Sequence, residues 1–176
     1  VEKNVIGAHA MGFNTGAVGI ALLGTYGSSQ PSQAAQDAIA KLIAWRMDLA
    51  HADRTGKTAA ISSGSDRFAP GVSVLLRNVS GHRDTGSTSC PGNLLYGKLN
   101  ALASSAGKLG LPKIYEPRLE ESEGVNRFRA RLSSAAPWTV TIVSAAKLEV
   151  ARGQGTGRTV DWSWDATLVP AGQYTW

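Results

Sequence analysis

The sequence is short of cysteine, of long apolar runs and of acidic residues, and each shortage narrows the reading. One cysteine, Cys90, stands in 176 residues, so no intramolecular disulfide forms. No apolar run approaches the ~18–20 residues that would span a bilayer, so membrane insertion is not expected. Charged residues make up only 18%, against 43% hydrophobic, the balance of a chain that buries a core. The first residues, Val1-Glu2-Lys3-Asn4, have neither a Met nor a basic start followed by an apolar stretch. They read as the start of a fragment or processed form. The net charge of +5 favours an anionic partner. No basic stripe interleaved with aromatics accompanies it, so nucleic acid is not the expected one.

What is present falls into two stretches. In the first, Ala17-Val18-Gly19-Ile20-Ala21-Leu22-Leu23 is a continuous apolar run that predicts a strand buried on both faces. Pro31 and Ser32 then open a helix, with Ser32 as its cap and Ala38, Ile39, Leu42, Trp45 and Leu49 as its apolar face. A polar loop from His51 to Pro70 leads to a second strand at Val72–Leu76. Leu94, Leu95, Leu99 and Leu102 mark another helix, fading near Lys108. Beyond Gly110 no helical pattern recurs. Arg127–Leu132, Trp138–Val143 and Thr159–Trp164 alternate or are β-branched, and Pro170-Ala171-Gly172 makes a turn before Tyr174-Thr175-Trp176. The expected division is a domain over 1–109, a linker over 110–126 and a β domain over 127–176. The first carries a charge of +4 (ten basic, six acidic residues), the last two together +1 (eight basic, seven acidic).

Chemistry concentrates in Gly81-His82-Arg83-Asp84 and Thr88-Ser89-Cys90-Pro91-Gly92. An imidazole and a thiolate in one tight turn suit Zn²⁺. Taken as isolated residues they fit better a buried cysteine and a surface histidine that share a loop, and it is the full pattern that favours the metal. Asp84 is expected to accept from His82 and orient its ring, while the role of Arg83 stays open. His51, at a helix end where imidazolium suits the dipole, is not expected to bind metal. Trp162 and Trp164, two apart on one face, are either core anchors or an aromatic platform for sugar.

The run G-H-R-D-x-x-x-T-x-C-P-G resembles the C-terminal signature of the type 2 N-acetylmuramoyl-L-alanine amidases, which include the peptidoglycan recognition proteins. Gly7-Ala8-His9-Ala10-Met11-Gly12-Phe13-Asn14 resembles that family's G-A-H-x-x-G-x-N segment, and the likeness covers about residues 4–105. The resemblance implies an α/β fold, a mixed central sheet flanked by helices. It implies His82 and Cys90 as ligands of Zn²⁺, Thr88 as a catalytic residue that steadies the oxyanion, and His9 and Asn14 as groove residues facing substrate. The implied reaction is hydrolysis of the amide between N-acetylmuramic acid and L-alanine. The implied setting is secreted and cell-wall associated, with peptidoglycan as partner and the chain a monomer. The family's first zinc histidine and an upstream Tyr or Glu lie before the G-A-H segment, and only Val1 to Gly7 are at or before that point here. The chain by itself is therefore expected to hold zinc poorly and to be inactive, the parent protein being the amidase, and a non-catalytic peptidoglycan recognition module is the alternative. Asp161–Asp165 and Val169–Trp176 resemble the end of immunoglobulin-like repeats of the flagellar hook-capping kind, which implies a small all-β sandwich that would continue past Trp176.

Overall fold

A computed structural model describes residues 5–176, and the chain separates into two compact units, Val1–Gly110 and Leu111–Trp176. In the first unit, α1 (Gln33–Leu49) begins where Ser32 accepts a hydrogen bond from the Ala35 N–H at 3.2 Å. It packs against α2 (Asn93–Leu109). Ile39, Ile43 and Ala44 of α1 meet Leu95, Leu99, Leu102 and Ala106 of α2 in one buried cluster. Burying a side chain of the Leu or Ile class contributes about 1.5–3 kcal/mol, so this seam carries the unit. The buried face of α1 is rotated from the expected one: Leu42, Trp45 and Leu49 are exposed. The small residues Ala40 and Ala44 sit inward beside Ile39 and Ile43, and the larger apolar stripe is left outside.

Two short strands, β1 (Lys57–Ile61) and β2 (Ser73–Arg77), pair antiparallel from Lys57↔Arg77 to Ile61↔Ser73. β1 lies within the stretch expected as loop. The unit is thus α/β in content, but its sheet among the described residues is antiparallel rather than mixed. The run 17–23 forms no strand. Leu23 is 94% exposed, and only Leu22 reaches the helix cluster. A strand buried on both faces needs a sheet to join and layers packed above and below it, and among the described residues β1 and β2 pair only with each other.

The second unit is one four-stranded antiparallel sheet. β3 (Ile114–Ser122) pairs with β4 (Val125–Ser144), β4 with β5 (Glu149–Asp165), and β6 (Tyr174–Thr175) with the far end of β4. β3 corrects the expected linker: residues 114–122 are a paired edge strand. It joins by pairing along the edge of β4, with a register shift between Tyr115 and Arg118. Tyr115 is buried, and Leu119 stands opposite the buried Phe128. Between Arg131 and Ala136 of β4 the partner advances only from Thr159 to Gly157, and Gly157 takes a left-handed φ of +130°. At this irregularity the sheet folds over. Gly153 and Trp162 would lie ~30 Å apart along a straight strand, yet a Cβ on Gly153 would collide with the Trp162 ring. The two halves of the sheet thereby enclose Phe128, Leu132, Val140, Ile142 and Val160. No helix among the described residues is long and apolar enough to cross a membrane.

Candidate active site

The loop between β2 and α2 carries the candidate ligands, and polar side chains fix its shape. His82–Asp84 is a single 3₁₀ turn, with Thr85 N–H and Gly86 N–H both returning to the His82 carbonyl at 3.0 Å. Arg83 clasps the loop's ends. Its backbone N–H donates to the Cys90 carbonyl at 3.1 Å, and its guanidinium donates to the Ser89 carbonyl and to Asn93 Oδ1. The same guanidinium lies 4.7 Å from the Tyr96 ring centroid. Arg83, left open by the sequence, is a structural clasp. Gly92 follows with φ of +90°, and a Cβ there would strike the Tyr26 carbonyl oxygen at 2.5 Å, so only glycine turns the chain into α2 at this point.

Asp84 does not orient His82. Its carboxylate accepts from the Tyr96 hydroxyl at 2.5 Å, the Gly81 N–H at 2.8 Å and Arg77 at 3.1 Å. Burial pushes its pKa up, but those three donors outweigh burial and hold the carboxyl below its ordinary value. The Tyr96 hydroxyl is correspondingly pushed up, first by its bond to Asp84. Arg77 also donates to Asn100 of α2 at 3.0 Å, so β2, the loop and α2 are tied through one ion pair. The physical reason for the correction is direction: the turn puts His82 outward, exposed, while Asp84 faces the helix.

A second loop, 62–70, braces the first from the side. Ser65 Oγ donates to the Thr85 carbonyl at 3.0 Å, Arg67 donates to the Arg83 carbonyl, and both oxygens of Asp66 accept from the Ser87 N–H at 3.1 Å. The 9–14 turn docks on this loop: the Ser63 N–H bonds the Gly12 carbonyl at 2.9 Å, and Phe13 meets Phe68 edge to face at 6.0 Å. Together the three segments line a half-open hollow of about 210 Å³, bordered by Met11, Asp66, His82, Gly86, Ser87 and Thr88. Gly86 is the space-maker. A Cβ there would stand 3.3 Å from Asp66 Oδ1 and 3.7 Å from His82 Nε2.

Two of the five expected site residues, His82 and Thr88, line this hollow. Cys90 is a free, exposed thiol at the clasped end of the same loop, and its backbone N–H donates to Thr88 Oγ1 at 3.2 Å. His9 and Asn14 are in the docked turn, outside the lining. Asn14 Oδ1 accepts from the His9 N–H at 2.9 Å and the Ala10 N–H at 2.7 Å, holding the turn closed. The half-buried His9 ring sits against Gly7 and Gly19, where a Cβ would come within 2.5 Å and 2.7 Å of it. From that turn it is Met11 that reaches the hollow. The sequence reading missed Met11 and Asp66, and an isolated aspartate in a Ser-Gly-Ser-Asp loop carries no pattern that would mark it. As metal donors, His82 and Cys90 suit zinc in kind: nitrogen and sulfur at the two ends of a braced loop. In number they are a pair, since no group of three His, Cys, Asp or Glu gathers among the described residues.

No curated protein and no solved structure matches the chain. The family model for N-acetylmuramoyl-L-alanine amidase matches residues 1–93, just over half of the sequence and all of the loops that line the hollow. The chain belongs to the N-acetylmuramoyl-L-alanine amidase family.

Proposed function

We propose that the first unit hydrolyses the amide joining N-acetylmuramic acid to L-alanine in peptidoglycan, with zinc held by His82 and Cys90. The observation that carries this reading is the hollow that brings His82 and Thr88 together on the loop ending in Cys90. When bound, zinc supplies Lewis-acid polarisation of the carbonyl and a water of lowered pKa. The chain's own residues do the rest. Thr88 Oγ1 accepts the Cys90 N–H, which leaves its O–H to donate to an oxygen gathering charge. Asp66 holds the Ser87 N–H and so fixes the floor between Thr88 and His82. His9 and Asn14 act on substrate through the turn they shape, which delivers Met11. The site acts outside the cell membrane, where peptidoglycan lies, and the protein works as a monomer. We read the second unit as an immunoglobulin-like repeat, a reading supported by its two facing layers and aromatic core.

The test is hydrolysis of soluble muropeptide by the 176-residue protein supplied with zinc, followed as new L-alanine amino groups. We expect activity that a chelator abolishes. His82→Ala or Cys90→Ser should cost more than the roughly 10- to 100-fold typical of removing an outer partner of a metal ligand. A second reading, a non-catalytic recognition module, is favoured by the pair of donors where structural and catalytic zinc sites use three or four. Saturable muropeptide binding without any release of amino groups would establish it and overturn the first.

A further inference from the structure

The second unit holds a larger hollow, of about 490 Å³, at the open end of the folded sheet. That volume is within the range of small-molecule sites. Its floor is a row across three strands: Glu121 pairs with Asn126, and Asn126 with Trp164. Directly opposite residues project to one side, about 5 Å apart, so a carboxylate, an amide and an indole stand side by side. The Tyr174 ring meets Trp164 edge to face at 5.4 Å, fixed by its hydroxyl bond to the Pro170 carbonyl at 2.6 Å. Trp176 meets Phe128 in the same way at 5.1 Å and remains 51% exposed.

Core packing explains Trp162 and one side of Trp164 and Tyr174, which lie against the same buried cluster, but not the polar members of this row. Trp162 stacks on Phe128 at 5.5 Å and lies against Gly153. Two residues on, Trp164 has polar neighbours in its row instead of apolar ones. The side chains of Glu121 and Asn126, and of Gln173 at the rim, make no hydrogen bond or ion pair within the described residues. Unused acceptors and amides beside flat aromatic faces are the chemistry that recognises a pyranose. Its axial C–H faces stack on rings, and its equatorial hydroxyls bond bidentately to carboxylates and amides.

We propose that this hollow binds a neutral, β-linked pyranose chain, with Trp164 and Trp176 as stacking surfaces and Glu121, Asn126 and Gln173 as hydroxyl partners. The proposal is independent of the hydrolysis argued for the first unit. Chitotetraose and cellotetraose titrated into the 176-residue protein, followed by tryptophan indole NMR signals and calorimetry, test it. We expect saturable movement of the Trp164 and Trp176 signals. Trp176→Ala should weaken binding about tenfold, the worth of one stacked ring. The double variant Glu121→Gln, Asn126→Ala, which leaves the aromatic core intact, should weaken it severalfold. The proposal is overturned if neither sugar gives a saturable shift at ~10 mM, if shifts fall only in the first unit, or if both variants bind as well as the parent. It is equally overturned if an apolar peptide fills the hollow and the sugars do not.

Discussion

The two hollows are built on opposite principles. The first sits between three loops whose positions are set by charged and polar groups: Arg83 across the loop ends, Asp84 to α2, Asp66 to Ser87. The second sits between a sheet face, whose residues are placed by cross-strand pairing, and the 166–176 segment, and its shape is set by aromatic packing. Loop sites trade legibility for chemistry. They let an imidazole and a hydroxyl converge from one short turn, but their geometry depends on braces far apart in sequence. Strand sites repeat every second residue and set flat rings and polar groups side by side in cross-strand rows.

Variants can separate the two regions. The largest effect falls on the loop site. Thr88→Val keeps the volume and removes the O–H donor, and it should lower kcat for muropeptide hydrolysis by roughly 10²–10³-fold with binding little changed, the usual loss of an oxyanion donor. An unchanged kcat would reduce Thr88 to a partner of the Cys90 N–H. Next comes the sheet. Gly153→Ala drives a methyl into the Trp162 ring and should cost about 2 kcal/mol, as overpacking does. The melting transition of the second unit should fall while that of the first stays put. If both fall together, the units do not unfold independently.

Asp84→Asn should cost about 1.5 kcal/mol, in the first unit only, through weakened bonds to Arg77 and Tyr96. The pH dependence has a definite sign. The Asp84 carboxyl is held below its ordinary value, so its contribution is present above the unfolded pKa of ~3.9 and is lost as pH falls through the lower folded value. Acid titration of the first unit's melting midpoint should steepen below about pH 4, and the Asp84→Asn variant should lack that component. The smallest effect belongs to Arg127→Ala. It breaks a bidentate pair with Asp161 at 2.7 and 2.6 Å on the solvent face of the second unit, where water screens both partners. Its melting midpoint should barely move, and less so in high salt. A shift as large as that of Gly153→Ala would mean the outer charge ladder, and not the inner aromatic layer, sets the stability of the sheet.

Beyond residue 125 the sequence by itself marked pieces of the strands, without showing that 127–132 and 138–143 belong to one strand or that 149–158 is paired. It determined both helices and the Ser32 cap. Each of these is written in local periodicity or in the chemistry of one capping residue. It also determined which turn holds the candidate chemistry, because His82, Thr88 and Cys90 lie within nine residues of one another. Tertiary structure alone decided the rest. The α1 face that faces inward was chosen by the fit of Ile39, Ile43 and the small Ala44 against α2, against a larger apolar stripe that pointed elsewhere. The 17–23 run stayed out of a sheet because strand pairing is a property of neighbours, and hydropathy within one segment does not supply them. β3 joined the sheet for the converse reason, since β4 offered its edge. Asp84 turned away from His82 because a 3₁₀ turn sends residues two apart in different directions, and Arg77 and Tyr96, seven and twelve residues away, were there to receive it. Long-range hydrogen bonds leave no periodic trace in a sequence, and here they are what gives the loop its shape.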